Sequence, residues 1–484
     1  MIGITSFGAY LPRMRLQRQV VAEANAWFDS GLKGLAKGLA KGERTMCNWD
    51  EDTITMAVEA CQDSLGDRDR EAIQALFMAS TSMPFLDRQN SVLVAEALNL
   101  NSSVRTMDVT ASQRAGTSAL LAARDAVMAG TEQVLMVASE HRRTKCASRQ
   151  EMLYGDGAAA ITLGSEGVIA ELVAVQSLAD DFVDRYRSDG NDFDYDWEER
   201  WIRDEGFLKI VPRVVNALLQ DAGVSPKDIQ HLVLPCEQKR TPATVAKALG
   251  IAPDLLADSL IENCGVTGTA HAILQLAHTL QKAKPGELIL VIGFGQGSDA
   301  LLFRATDAIE KGQPALGVSG NLERRRAETN YNKFQSFNEL LEKEMGKRSE
   351  IDKQTYLSAM YRNRDLLTRF MGGKCSECDT VQMPKMNYCV NPECGALDTQ
   401  QNHPMSTVKG TVQTWTADQL TFDFNPPAYF GMVVFEGGGR LMMDFSEVDS
   451  DNFDTGTSVS VHFRIKQIDG QRGFRRYFWK AIQV

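Results

Sequence analysis

A helix, a charged loop and a buried strand occur in the same order twice along the first two-thirds of the sequence. A-V-E-A-C-Q-D-S-L-G, a charged loop and I-Q-A-L-F-M-A-S return as V-V-N-A-L-L-Q-D-A-G, S-P-K-D and I-Q-H-L-V-L-P. Further along, A-G-T-S-A and a helix lead to V-L-M-V-A-S, just as T-G-T-A-H and a helix lead to L-I-L-V-I-G-F. Recurrence of a whole supersecondary unit confines the chain to two similar α/β halves. The strands are short apolar runs bounded by turn residues, the pattern of strands covered on both faces by helices. The halves are expected over residues 1–168 and 169–317.

The 484 residues suffice for several domains, and 43% hydrophobic with 24% charged is an ordinary globular balance. A net charge of −11 argues against a nucleic-acid surface, since Arg324-Arg325-Arg326 is followed by acidic residues and caps a solvated helix. The start, M-I-G-I-T-S-F-G-A-Y, reads as a strand of the mature fold rather than a signal peptide. No apolar run approaches the roughly 18 residues of a membrane helix. Four of nine cysteines cluster and the rest are scattered, which suits a reducing cytoplasm better than a disulfide framework.

Past Gly317 the composition changes. Residues 318–370 read as a helical linker in which Tyr331, Phe334, Phe337 and Leu341 form an apolar docking face. Residues 371–400 carry Cys375 and Cys378, then Cys389 and Cys394, each pair flanked by Gly, Pro or Asn. Two such pairs on facing turns supply four thiolates in a tetrahedron, which predicts a closed structural Zn²⁺ site; four unrelated buried cysteines are the alternative. Residues 401–484 hold alternating strands, T-V-K-G-T-V-Q-T-W, Y-F-G-M-V-V-F and S-V-S-V-H-F-R-I, the pattern of a small barrel. The run of Arg472, Arg475, Arg476, Tyr477, Phe478 and Trp479 is expected to close the barrel core rather than bind nucleic acid.

The stretches I-T-S-F-G-A-Y-L-P (Ile4–Pro12), N-W-D-E-D-T-I-T-M-A-V-E-A (Asn48–Ala60), G-D-G-A-A-A (Gly155–Ala160) and G-F-G-Q-G-S-D-A from Gly293 resemble the thiolase superfamily. The branch is that of 3-hydroxy-3-methylglutaryl-CoA synthase and β-ketoacyl carrier-protein synthase III. Y-R-N-R-D-L-L-T-R-F-M-G-G-K-C, N-P-P-A-Y-F-G-M-V-V-F-E-G-G-G-R and R-G-F-R-R-Y-F-W-K-A resemble the zinc-ribbon and OB-fold module that accompanies thiolase-like acyl-CoA enzymes. The resemblance implies a five-layered αβαβα thiolase-like fold, then helical linker, zinc ribbon and OB-fold barrel. It also implies coenzyme A as part of the substrate, a homodimer, and a partner enzyme docked through the OB-fold module.

The catalytic residues of the synthases do not carry over. Their cysteine, in A-C-K-A-G-T, matches Gln113 of S-Q-R-A-G-T; their glutamate, in G-S-E-S, matches Thr81; their histidine matches Pro235, beside Cys236. Their asparagine, in G-N-T-Y-S-G-S, falls on Cys264 of N-C-G-V-T-G-T-A-H, with His271 seven residues on. Ordinary synthase chemistry needs a thiolate and a base, so it is excluded at these positions. An amide and backbone N–H groups at a helix start still suit a thioester carbonyl.

Cys264 and His271 are therefore expected as the acid/base or nucleophile pair, with a buried cysteine and a backbone-satisfied histidine as the alternative. Gln113 and Thr81 would orient the thioester, and Cys236 is a further candidate. The insertion Arg185–Phe207 offers a new acid or base such as Glu198 or Glu199, or else a solvated amphipathic helix. The implied reaction is carbon–carbon bond cleavage or formation beside a thioester, of retro-aldol or thiolase type. A malonyl-thioester decarboxylase with Gln in place of Cys, and a non-catalytic CoA-binding scaffold, are the alternatives.

Overall fold

A computed structural model describes residues 1–29, 38–344 and 355–484. The chain forms two compact units: residues 1–47, 52–95 and 100–338 in the first, and 48–51, 96–99 and 339–484 in the second.

The first unit is built on nine strands: β1 Gly3–Tyr10, β2 Ile73–Ala79, β3 Arg105–Val109, β4 Gln133–Glu140, β5 Gly157–Gly164, β6 Ala170–Ala179, β7 His231–Val233, β8 Leu288–Phe294 and β9 Gly297–Ala305. Their order is β7-β8-β9-β6-β1-β5-β4-β2-β3. In one half β3, β2 and β4 run parallel and β5 and β1 antiparallel; in the other β7 and β8 run parallel and β9 and β6 antiparallel. The repeat seen in the sequence is thus a repeat of topology. The halves' sheets are joined, because Gly3 and Ile4 pair with Glu171 and Ala170. A side chain at Gly3 would lie 2.1 Å from the Ala170 carbonyl oxygen, so the junction needs glycine.

Helices α1 Thr53–Leu65, α2 Ala115–Met128, α3 Ile210–Ala222, α4 Thr241–Ala248 and α5 His271–Leu280 lie on this sheet or between its halves. Asp52 starts α1 as a capping box: its carboxylate accepts the Ile54 and Thr55 N–H groups at 3.0 Å, and Thr55 Oγ1 accepts the Asp52 N–H at 2.8 Å. Equivalent in the repeat, α2 and α5 touch each other and share one core with strands of both halves. Small residues let them approach: a Cβ on Gly116 of α2 would stand 2.4 Å from the Thr269 carbonyl oxygen. The other face of the second half is filled by Val211, Val214, Val215 and Leu218 of α3.

The second unit holds a three-stranded sheet of β10 Met371–Cys375, β11 Val381–Gln382 and β12 Gln400–Pro404. Strands β13 Gly410–Asp418, β14 Ala428–Phe435, β15 Arg440–Ser446, β16 Ser458–Asp469 and β17 Phe474–Gln483 close into a barrel in the order β13-β14-β15-β17-β16. Trp479 is fully buried there, with its ring 5.3 Å from that of Phe463, so the aromatic run near the C-terminus does fill the barrel.

The predicted linker over 318–370 is not one element. Asn321 binds the Leu11 N–H and the Ala9 carbonyl, while Phe334, with Tyr331 and Phe337 beside it, packs on Leu16, Val21, Met46 and Met152; this part belongs to the first unit. The apolar stripe therefore docks on its own unit, except Leu341, which lies in the second unit and is exposed. Residues 345–354 of that stretch lie outside the described residues. All nine cysteines are free of disulfide bonds. Among the described residues no helix is long and apolar enough to cross a membrane.

Candidate active site

Strand β3 delivers the chain into a tight turn, Thr110 to Arg114, before α2 begins. Ala111 takes φ +70° there, a left-handed conformation that costs a residue with a Cβ of order 1 kcal/mol or more and is retained chiefly where geometry matters. The turn is pinned from the other half of the repeat. Ser112 Oγ donates to the Gly295 carbonyl at 3.1 Å, and the Arg114 guanidinium reaches Asp299 at 3.1 Å. Asp299 also accepts the hydroxyls of Thr117 and Ser118 from the first turn of α2, at 2.8 and 3.1 Å. One buried carboxylate of G-F-G-Q-G-S-D-A thus sets where α2 starts and where Gln113 points.

Gln113 lines a cavity of about 270 Å³. The end of β8 contributes Phe294, the start of α5 His271 and Ala272, the loop after β7 Pro235, Cys236 and Glu237, and the insertion, with Asp184 just before it, Arg185, Asp196, Trp197 and Glu199. Apolar walls with a few convergent polar groups are the usual form of a small-molecule site.

Of the residues predicted for catalysis, Gln113, Cys236 and His271 line this cavity. Thr81 stands one hydrogen bond behind: the Gln113 amide donates to Thr81 Oγ1 at 3.4 Å, and Thr81 Oγ1 donates to Glu140 at 3.1 Å. Glu140, buried at the end of β4, also receives Ser80, Ser82 and Thr269. A carboxylate is thus present beside the position where the synthases carry glutamate, but it is saturated by donors and serves to fix Thr81.

The assignment of Cys264 as a reactive thiol does not hold. It ends the short helix Ile261–Cys264 rather than starting one, it is fully buried, and its thiol donates to the carbonyls of Leu260 and Gly265 at 3.3 and 3.4 Å. Burial raises its pKa to about 12, against which Arg15 and Arg18 pull weakly, so it is a neutral core thiol. The assignment of His271 as acid or base fails for a related reason. Nδ1 accepts the Thr267 N–H at 3.2 Å and Nε2 faces the Ser259 carbonyl at 3.0 Å, so both nitrogens are engaged. Burial lowers its pKa to about 4 and keeps it neutral. Cys236 reaches the cavity, yet burial raises its thiol to about 12 as well.

Carboxyl groups reach the cavity from the insertion, as its carboxylate-rich sequence allows, and from its flanks: Asp196 and Glu199 of the insertion line it with Asp184 and Glu237, and Asp196 is half-buried whereas Glu198 and Glu199 are exposed. Asp196 accepts the Gln150 amide at 2.8 Å and the Tyr154 hydroxyl at 3.4 Å, and desolvation raises its pKa. Asp184 is raised by burial too. Glu237 is partly buried and held below the usual carboxylate range by Arg185, whose guanidinium lies 2.6 Å away, and by Arg142. Spacing along the chain carries no sign that residues 184, 196 and 237 converge; only their density of charge beside aromatic residues hints at it.

Two clusters have metal-ligand chemistry. Cys375, Cys378, Cys389 and Cys394 gather with their sulfurs within 4.8 Å of one another, and Sγ–Sγ distances of 3.9 Å for Cys375–Cys394 and 3.5 Å for Cys378–Cys389. A tetrahedron of ~2.3 Å zinc–sulfur bonds has edges of ~3.8 Å, so the donor set fits zinc. In Cys47, His141 and Asp156 the carboxylate oxygens are already taken by His141 Nδ1 at 3.0 Å and the Cys47 N–H at 2.9 Å, which marks a structural network.

Comparison with known proteins bears on the fold. Residues 219–304 match the family described as the C-terminal part of 3-oxoacyl-[acyl-carrier-protein] synthase III. Hydroxymethylglutaryl-CoA synthase of Pyrobaculum neutrophilum is 30% identical over 320 residues, 65% of this chain and 90% of that protein. A crystal structure of HMG-CoA synthase complexed with CoA superposes with a TM-score of 0.60 at 18% identity, over 73% of this chain and 94% of that one. 3-Oxoacyl-(acyl carrier protein) synthase III of Pseudomonas aeruginosa superposes with a TM-score of 0.56 at 20% identity, over 63% of this chain and 98% of that one.

Proposed function

The chain belongs to the hydroxymethylglutaryl-CoA synthase family, and from that footing we propose that its cavity holds the acyl end of an acyl-CoA, where a carbon–carbon bond beside the thioester carbonyl is broken or made. The reading is an aldol-type lyase rather than a covalent acyltransferase. The observation that carries it is the exchange of chemistry in the cavity: an amide, Gln113, stands at the head of α2, the thiols are neutral and His271 is saturated, while Asp196 brings in a half-buried carboxyl of raised pKa.

In the cleavage direction the β-hydroxyl proton of a β-hydroxyacyl-CoA passes to the Asp196 carboxylate. The Cα–Cβ bond breaks, its electron pair becomes a thioester enolate, and the β-carbon leaves as an aldehyde or ketone. The Gln113 side-chain N–H, fixed by Thr81, hydrogen-bonds the enolate oxygen. Asp196 then returns its proton to the α-carbon. A raised carboxyl pKa is what a general base needs to work near neutral pH. No step requires an acyl-cysteine.

The four clustered cysteines hold a structural zinc ion in this reading: four thiolates leave no open coordination position, so the metal stabilises the β10–β12 sheet and takes no part in the reaction. The closed barrel is an OB-fold that serves as a dock for a partner enzyme, and two chains associate as a homodimer; light scattering of the purified protein checks the second point.

The test is incubation of the purified protein with β-hydroxyacyl-, β-ketoacyl- and malonyl-CoA, with products followed by mass spectrometry. Release of an aldehyde or ketone plus a shorter acyl-CoA is expected, lost in Asp196→Asn and lowered about a hundredfold to a thousandfold in Gln113→Ala, the range of one oxyanion donor. If no thioester turns over while CoA still binds, the lyase reading is wrong and the scaffold reading takes its place.

A further inference from the structure

We propose that the acyl group accepted by this cavity is uncharged and carries a hydroxyl or carbonyl oxygen, and that acyl-CoAs bearing a second, free carboxylate are rejected. The proposal rests on the reading of the cavity as an acyl site and names its substrate class.

Charge pairing in the cavity sets which acyl groups fit. Three guanidinium groups line the cavity, those of Arg114, Arg149 and Arg185. Each is already matched: Arg114 by Asp299 at 3.1 Å, Arg149 by Glu199, and Arg185 by Glu237 at 2.6 Å. Two further arginines approach from behind. Arg142 and Arg187 share Asp194 at 3.4 and 2.9 Å, and Arg142 also donates to the Val266 carbonyl and lies 3.5 Å from the Tyr154 ring. Against these stand two more carboxyl groups that line the cavity, Asp184 and Asp196, the first 3.8 Å from Arg185 and the second held by Gln150 and Tyr154.

A carboxylate is bound tightly where an arginine fork is free to meet it. Here an incoming carboxylate would find each lining guanidinium already ion-paired, Arg185 keeping only its Nε–H without a hydrogen-bond partner, and surplus carboxyl groups beside it. Asp299 is buried and Glu237 mostly so, and freeing Arg114 or Arg185 leaves that carboxylate uncompensated in a desolvated place, whereas the Arg149–Glu199 pair is exposed and opens at less cost. Asp184 and Asp196 are both shifted toward the protonated form by burial, which already marks the cavity as unfavourable to further negative charge. The same two groups, together with Gln113 and Gln150, offer hydrogen bonds to a neutral oxygen. Leu153, Ile202, Phe207 and Phe294 supply the apolar surface for its carbon chain. This excludes malonyl groups, and it also excludes the carboxylated acyl group from which the relatives take their name, that of hydroxymethylglutaryl-CoA.

Titration calorimetry of the full chain with CoA, 3-hydroxybutyryl-CoA, malonyl-CoA and hydroxymethylglutaryl-CoA tests it. The neutral hydroxyacyl-CoA is expected to bind more than about tenfold more tightly than either carboxylated one, and the carboxylated pair no better than CoA itself. Glu237→Gln, which releases Arg185, is expected to narrow that gap. Equal binding of malonyl- or hydroxymethylglutaryl-CoA and the neutral thioester overturns the proposal while leaving the acyl-CoA reading intact. Failure of CoA and all thioesters to bind overturns both.

Discussion

His271 is gripped by Thr267 and Ser259 through its two ring nitrogens, and its pKa falls from 6.5 to about 4. The unfolded chain protonates this residue first as pH drops, so stability present above pH 6.5 is lost between there and about pH 4. The window is worth on the order of 3 kcal/mol. Urea unfolding at pH 7 and pH 4.5 is expected to show this loss in the native chain and much less of it in His271→Asn. Cys264 makes the complementary prediction: Cys264→Ala keeps turnover within about twofold, and iodoacetamide labels exposed Cys146 long before Cys264, as thiolate character and access govern alkylation. Gln113 was legible in the sequence, because S-Q-R-A-G-T stands at a helix start whatever the rest of the chain does. Asp196, Glu237 and Glu140 were not legible as partners of that site. Each is an ordinary acidic residue in its own stretch, and its role arises from burial beside Arg185, Thr81 or Tyr154, residues 11 to 59 positions away.

At the level of elements, the local signals that start and stop helices were readable and carry measurable energy. Asp52→Ala removes the cap of α1 and is expected to cost about 1 kcal/mol, seen as a lower thermal midpoint without change in acyl-CoA binding. Gly268 is a sharper case. It takes φ +53° and a Cβ there would stand 2.6 Å from Glu140 Cγ. Gly268→Ala should therefore both destabilise by about 1–3 kcal/mol and disturb the Glu140–Thr81–Gln113 chain, which lowers turnover more than Asp52→Ala does. The T-G-T of the repeat is a close contact between halves, and its glycine has a packing reason that the sequence pattern alone did not supply. The stretch after Gly317 shows the opposite outcome. Its helical periodicity was correctly visible, but periodicity names an apolar face without saying what covers it, and Phe334 turned inward to the first unit.

For the whole molecule, one zinc ion per chain is expected by metal analysis. Its removal by a strong chelator, or Cys375→Ser with Cys378→Ser, should unfold the β10–β12 sheet, read as increased proteolysis within 371–404, and leave CoA binding to the cavity unchanged. The sequence by itself determined the two α/β halves, the barrel strands, the four-cysteine cluster and the unreactive residue at the head of α2. These follow from periodicity, turn chemistry and spacing, all local properties of a chain. Tertiary structure alone decided which thiol and which imidazole were spent on core packing, which carboxyl groups were drawn into the cavity, and that each lining arginine there was already paired. Desolvation and charge pairing depend on neighbours distant in sequence, and the same Cys-to-His spacing of N-C-G-V-T-G-T-A-H serves a catalytic pair or a buried, hydrogen-bonded one according to what folds around it.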